Sequence, residues 1–529
     1  MTASGYSGLP GGLRTVRDEP ATRIAVVVAA AAGMAIVLLA RWGPDWPAQE
    51  FRAWIAAHDG MTMWTSRWYA GSALPGYSVL YPPVAAVLGA GATGLVSTIA
   101  AAWAAAGFAP AGRLRARLFG LAVAACLAQN LLIGQVPFLL GTAFALMALR
   151  ALTTRRHGLI VFAFAALCSL GSPLAGLFVL LIAPALALTV GWRRALPLLG
   201  AVAGPAVSLV LGGAGGPFPF PWESFAGVVL FTVALLVFAP GRDRALRMFA
   251  ACYLLASVIA FLVPNPIGGN MGRLGKLVAV PLACHLLVAT GLWTRLRAGI
   301  VVVVAALWPS VPFVTSMTEG ATDPSQYAGF YAGLNRFLST QNASAGRLEI
   351  PFTREHWETL WVARQFPIAR GWERQTDLRY NSILYHPLTP SAYRWWLRRN
   401  AVSLVALPDA PFDEGGKAEA ALLAHPPPYL SPVWHDSDWT VWRVRRAEPL
   451  VGRPATLTDL DQSALTLRFA RAGSAVVRIR GSALWHVTAG SACADTTPAG
   501  WLRVHATGPG LVRVVATLNA QLIGGTQSC

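Results

Sequence analysis

RLRARLFGLAVAACLAQNLLIGQVPFLLGTAFALMALRALTTRR, residues 113–156, reads as two apolar runs joined by an uncharged tip and closed at both ends by arginine. The runs 118–134 and 136–153 are each close to the length that an α-helix needs to cross about 30 Å of hydrocarbon. Arg113, Arg115 and Arg117 on one flank, and Arg150, Arg155 and Arg156 on the other, place both ends on the cytoplasmic side, where basic residues collect. Gln135, at the tip, then faces outward. The stretch is a membrane hairpin, and its pattern extends in both directions.

Working outward, apolar runs recur at 24–40, 80–108, 158–171, 173–191, 196–212, 225–240, 246–264, 277–293 and 299–316, for a total of eleven expected spans. Further inner loops carry Arg193 and Arg194, then Arg242, Arg244 and Arg247, then Arg295 and Arg297, whereas the outer loops near 172 and 213–222 carry no basic residue. An odd number of crossings that starts from a cytoplasmic tail, 1–23, delivers everything after about 317 to the outer side. Composition agrees: of 529 residues 55% are hydrophobic and only 12% charged, against about 25% charged in soluble domains. Basic residues outnumber acidic ones 42 to 24. They fall in short groups between apolar runs, which argues for loops facing the cytoplasm and against nucleic acid as a partner.

Past the transmembrane region, 24–316, the composition returns to globular values. Residues 317–446 alternate helix-like stretches (354–365, 391–400) with apolar strands (402–407, 439–444), the pattern of an α/β domain. Residues 447–529 read as short alternating strands, a small β-sandwich that in outline, with Trp485 and Trp501, is a candidate carbohydrate-binding module; core tryptophans are the plainer reading. Cys493 and Cys529 are the two cysteines of this outer part, and thiols in an oxidising compartment pair, so a disulfide is expected.

The outer loop 41–83 holds the densest polar chemistry. Residues 47–58 read as an amphipathic helix lying on the membrane surface, with Phe51, Trp54 and Ile55 on one face and Gln49, Glu50 and Arg52 on the other. Asp45 precedes Trp46-Pro47. That is a natural helix cap, and equally the place for a carboxylate acting as general base at the mouth of a membrane cavity. The loop 264–276, PNPIGGNMGRLGK, offers Arg273, Lys276 and Asn270 among glycines that permit close backbone approach. Its cations suit a phosphate or the anchoring of a helix to headgroups.

The strings DWPAQEFRAW (45–54), LPGYSVLYPP (74–83), NPIGGNMGRLGK (265–276) and HWETLWVARQFPIARGWERQTD (356–377) resemble actinobacterial membrane proteins labelled 6-pyruvoyl-tetrahydropterin-synthase-related, which are arabinofuranosyltransferase-like. With the first-loop Asp, the surface helix and the outer C-terminal part, the chain resembles the GT-C membrane glycosyltransferases. The resemblance implies sugar transfer from a polyprenyl-phosphate donor, for instance of arabinofuranose or mannose, to a cell-envelope glycan or glycolipid. The fold it implies is a polytopic α-helical membrane protein with a C-terminal extracytoplasmic α/β domain and β-sandwich, seated in the cytoplasmic membrane.

In that pattern Asp45 is the base of an inverting displacement, with Glu50 as the alternative. Arg273, Lys276, Asn270, Arg52 and Arg67 are the donor-phosphate candidates. His58, Tyr77, Tyr81, Gln135, Glu223, Trp372 and Arg374 are substrate-pocket candidates. Gln135 with Gln129 and Asn130 also suits interhelical hydrogen bonding, Glu223 suits plain exposure, and Trp372 with Arg374 suits domain docking. No metal site is expected and no cofactor is required, although a divalent cation stays open. A lipid or glycan transporter, or a non-catalytic scaffold for envelope assembly, is the alternative.

Overall fold

The computed structural model describes residues 20–39, 43–74, 76–110, 113–154, 156–210, 215–238, 243–288, 314, 318–342, 346–517 and 529. The helical part comprises α1 (Pro20–Leu39), α2 (Trp46–His58), α3 (Tyr81–Leu88), α4 (Ala90–Ala106), α5 (Arg113–Ile133), α6 (Val136–Thr153), α7 (Gly158–Gly171), α8 (Pro173–Val190), α9 (Trp192–Ala195), α10 (Ala203–Val210), α11 (Trp222–Phe238), α12 (Arg244–Leu262) and α13 (Gly272–Val288). Among the described residues five helices are long and apolar enough to cross a membrane: α1 (from Thr22), α5, α6, α8 and α12.

The other apolar runs are shorter or broken. The run 80–108 splits into α3 and α4, bent by 110° at Gly89, whose φ of +81° lies in the region that glycine enters without steric cost; taken as one broken span, the pair would be a sixth. The run 196–212 becomes a 3₁₀ segment, Leu196–Val202, followed by α10, with Pro197 and Pro205 interrupting a continuous α-helix. α7 and α11 are apolar but shorter than 18 residues. The run 299–316 and the end of 277–293 lie almost wholly outside the described residues, as does most of the tail 1–23.

A two-stranded ribbon, β1 (Trp64–Thr65) with β2 (Ser72–Ala73), sits in the first loop. The α/β layer holds a sheet of order β3-β4-β6-β5, formed by β3 (Arg347–Glu349), β4 (Val402–Pro408), β5 (Leu430–His435) and β6 (Trp439–Val444). Its β3–β4 pair is parallel and the other pairs are antiparallel. The stretch 354–365 holds only a short helix, Glu358–Trp361, because His356 takes a φ of +59° that no helix continues through.

The last part stacks two antiparallel sheets. One has order β10-β13-β8-β7 and the other β11-β12-β9, from β7 (Ala455–Leu460), β8 (Ala464–Phe469), β9 (Gly473–Arg480), β10 (Trp485–Ala489), β11 (Ala492–Thr496), β12 (Trp501–Ala506) and β13 (Gly510–Ala516). Trp485 and Trp501 are both buried: the Trp485 ring belongs to the sandwich core, and the Arg480 guanidinium lies 4.3 Å over the Trp501 ring. A disulfide joins Cys493 on β11 to Cys529.

The first loop is the wedge that joins these parts, and this corrects its reading as a membrane-surface element. Phe51, Trp46, Trp68, Tyr69 and Tyr81 are all buried. One apolar core runs from α1, α4, α5 and α6 through Phe51 of α2 to Trp357 and Leu348 of the α/β layer. Trp64 packs into the sandwich core, edge-on to Trp485 at 5.6 Å. Backbone bonds seal the wedge: Ser66 N donates to Gln462 O (2.8 Å), Ile368 N to Arg67 O (3.0 Å) and Arg480 N to Ala70 O (2.8 Å). Aromatic rings that suit a headgroup zone suit a protein interface equally well; here protein covers them.

Candidate functional site

Asp45 is fixed by the tip of the α5–α6 hairpin. Its N–H donates to Ile133 O (3.0 Å), and Trp46 Nε1 donates to Leu132 O (3.1 Å). The contact requires Gly134, which has φ +88° and whose added Cβ would fall 2.5 Å from Trp46 N. Asp45 occupies the N-cap position of α2 but makes no side-chain capping bond. Its carboxylate points across the fold instead, to Arg273, with Nη2···Oδ2 3.4 Å.

Arg273 is the second residue of α13, and its guanidinium lies 5.9 Å from the Phe138 ring of α6. The helix start is pinned by Tyr253 of α12, whose hydroxyl donates to Met271 O (2.6 Å) and accepts from Gly275 N (3.0 Å). Asn270 is partly buried just before α13, and Lys276 lies three residues past Arg273, partly buried. Two segments 228 residues apart thereby deliver an acid and a guanidinium to one point.

A second ion pair adjoins the first. Arg52 Nη2 donates to Glu373 Oε1 at 2.6 Å, and the Arg52 guanidinium stacks 4.1 Å above the Tyr77 ring. Tyr77 meets Trp372 edge-on at 6.3 Å, and Trp372 Nε1 donates to Pro44 O at 2.6 Å, directly before Asp45. Tyr81 donates its hydroxyl to Gln49 O (3.1 Å), bracing α2. Burial pushes the Asp45 carboxyl above its ordinary range, and the positive charges of Arg273 and Arg52 oppose that push. Burial and the Asp45 carboxylate likewise raise the Tyr77 phenol. Burial thus favours the protonated form of this acid, and its two cations favour the ionised one.

Asp45, Arg273, Arg52, Tyr77 and Trp372 therefore converge, with Tyr81 behind them and Gln135 at the hairpin tip. Other candidates sit elsewhere. Glu50 faces Arg364 and Tyr81. Arg67 donates to Gln365 O (3.2 Å) and lies near Asp59 and Asp461. His58 is exposed at the end of α2, bonded to Trp54 O (2.9 Å). Glu223 is exposed at the start of α11. Arg374 pairs with Asp413 (2.7 Å), which His356 also contacts (3.2 Å).

Glu355 is the residue that pattern reading passes over. Glu355 is buried, and no hydrogen bond or ion pair to it forms among the described residues. Burial, with Asp323, Asp45 and Asp413 nearby and only Arg354 opposing, pushes its carboxyl up to about 8. Its position beside His356, in a stretch dense in tryptophan, was the available signal; nothing in a single sequence shows that the stretch folds back toward Asp45.

Among the described residues no group of three His, Cys, Asp or Glu side chains could hold a metal ion. A cavity of about 140 Å³ is lined by Arg52, Ile55, Met61, Met63, Pro82 and Val207 among others, but by neither Asp45 nor Arg273.

The fold and site define a helical protein with several candidate membrane spans, whose ion-paired acid lies where the helices meet C-terminal β-rich layers. Among solved structures, 97% of the chain is similar to the cryo-EM structure of the arabinofuranosyltransferase AftD from Mycobacteria, with a TM-score of 0.45 and 12% identity, and the match covers 58% of that protein. The chain thus matches a little over half of AftD's length. No family model and no curated protein matches the sequence.

Proposed function

We propose that this chain is a membrane glycosyltransferase working at the outer face of the cytoplasmic membrane, with its C-terminal layers extracytoplasmic. In this reading it transfers a sugar, arabinofuranose or mannose being the first candidates, from a polyprenyl-phosphate donor to a cell-envelope glycan or glycolipid. What supports the reading is the Asp45–Arg273 pair: a buried carboxylate held 3.4 Å from a guanidinium at the start of a helix. The positive end of the α13 dipole, with Arg273 at the start of that helix and Lys276 one turn on, suits a phosphate.

When the donor phosphate engages Arg273, the guanidinium is drawn from Asp45. The Asp45 carboxylate loses its counter-charge in a desolvated place and becomes a stronger base. It takes the proton of the acceptor hydroxyl, whose oxygen attacks the anomeric carbon as the carbon–phosphate oxygen bond breaks. The bond electrons leave with the polyprenyl phosphate, and the configuration inverts. The apolar cavity beside Arg52 is a candidate resting place for part of the prenyl chain.

The test is transfer from a panel of polyprenyl-phosphate sugars by the wild-type chain and by Asp45→Asn. Removing a general base costs about 10²–10⁴-fold. Full activity of Asp45→Asn would remove Asp45 as the base, and no transfer from any donor by the wild-type chain would overturn the reading.

A further inference from the structure

Away from Asp45, an open groove of about 660 Å³ runs between the helix Pro390–Arg399, the turn at Pro428–Tyr429, and Glu448 with Arg478 of the sandwich. Four guanidiniums (Arg394, Arg398, Arg399 and Arg478) surround one carboxylate. Glu448 is shared by Arg398 and Arg478. Arg394 and Arg399 have no carboxylate partner among the described residues, and they lie 5.4 Å from the Tyr429 ring and 5.2 Å from the Trp395 ring. The Trp395 side chain is 54% exposed.

We infer that this groove binds an anionic glycan, a saccharide chain bearing carboxylate or phosphate groups. Exposed guanidiniums in excess of carboxylates recognise such anions through forked hydrogen bonds. The aromatic faces of Trp395 and Tyr429 offer the flat apolar contact that the C–H face of a sugar ring needs. The volume lies within the range that holds ligands of several rings rather than a lone ion. A lipid surface fits less well: among the described residues no Leu, Ile, Val, Met or Phe lines the groove to meet acyl chains. The geometry also fixes the roles. Arg398 and Arg478 are held by Glu448, and Tyr429 is braced by its hydroxyl on Pro390 O (2.7 Å). Arg394 and Arg399 are left to meet the ligand.

The test is binding by the full chain in detergent, measured by calorimetry with three probes: oligogalacturonate, a phosphomannan oligosaccharide, and a neutral maltooligosaccharide of matched length. At least one anionic probe should bind at least tenfold tighter than the neutral one, with affinity falling as salt rises; which of the two binds tells carboxylate from phosphate. Arg394→Gln with Arg399→Gln should weaken that binding about 10–100-fold, and Trp395→Ala about fivefold, with thermal unfolding unchanged because all three side chains are exposed. Equal binding of the neutral probe, undiminished binding by both variants, or binding only to anionic phosphatidylglycerol vesicles would overturn the inference. Sugar transfer by the Asp45 site enters none of these readouts.

Discussion

Glu355→Gln should make the protein more stable at neutral pH, by an amount the surroundings of Glu355 set. In the unfolded chain the carboxyl titrates near its ordinary value of 4.5; in the folded protein, burial and three neighbouring carboxylates push it up to about 8. The folded pKa is the higher one, so its contribution to stability is fully present below 4.5 and is lost as pH rises toward 8. At pH 7 the chain has crossed about 2.5 units of that window, and at 1.36 kcal/mol per unit the loss is about 3 kcal/mol. Glutamine has the shape of the protonated acid and does not titrate. Thermal unfolding in detergent should therefore find Glu355→Gln more stable than wild type by about 3 kcal/mol at pH 7, with the gap closing near pH 4.5. A variant less stable than wild type at pH 7, or a gap independent of pH, would refute the reasoning.

The Arg52–Glu373 pair should respond asymmetrically, because the Arg52 side chain is 2% exposed and that of Glu373 21%. Glu373→Gln takes the paired charge from a buried guanidinium that keeps Gln49 and the neighbouring Asp45, and should cost about 1–3 kcal/mol, whereas Arg52→Met leaves a carboxylate that water can reach and should cost less; equal losses in denaturant unfolding would contradict this. Gly134→Ala forces a side chain into φ +88° and against Trp46 N at 2.5 Å. It should cost roughly 2 kcal/mol and, by displacing Asp45, lower the proposed transfer activity more than the loss of folded protein explains.

The sequence made the apolar runs legible because hydrocarbon thickness sets their length and arginine marks their ends. It also made the strands of the sandwich legible, since alternation is local. The bend at Gly89 and the broken run at 196–212 were marked only by glycine and proline, which interrupt a helix without saying how far it turns. Arg273 stood out because the outer loops near 172 and 213–222 carry no basic residue, and Asp45 by its place directly before Trp46-Pro47, but only the turn at Gly134 explains why the carboxylate reaches across to α13 rather than capping α2. The burial of the first-loop aromatics was not legible, because Trp and Tyr patterns suit a bilayer interface and a protein interface equally. Glu355 escaped notice because its altered acidity comes from Asp323, Asp413 and Asp45, all distant along the chain.

The claim on which the proposed chemistry rests is that Asp45 and Arg273 act together on one lipid-phosphate donor. A double-mutant cycle on the rate of sugar transfer, with Asp45→Asn, Arg273→Gln and the double variant, measures this directly. Two groups working as one unit should each cost at least about a hundredfold, and the double variant should be no slower than the slower single variant. Losses that multiply independently, or an Asp45→Asn enzyme as fast as wild type, would contradict the account.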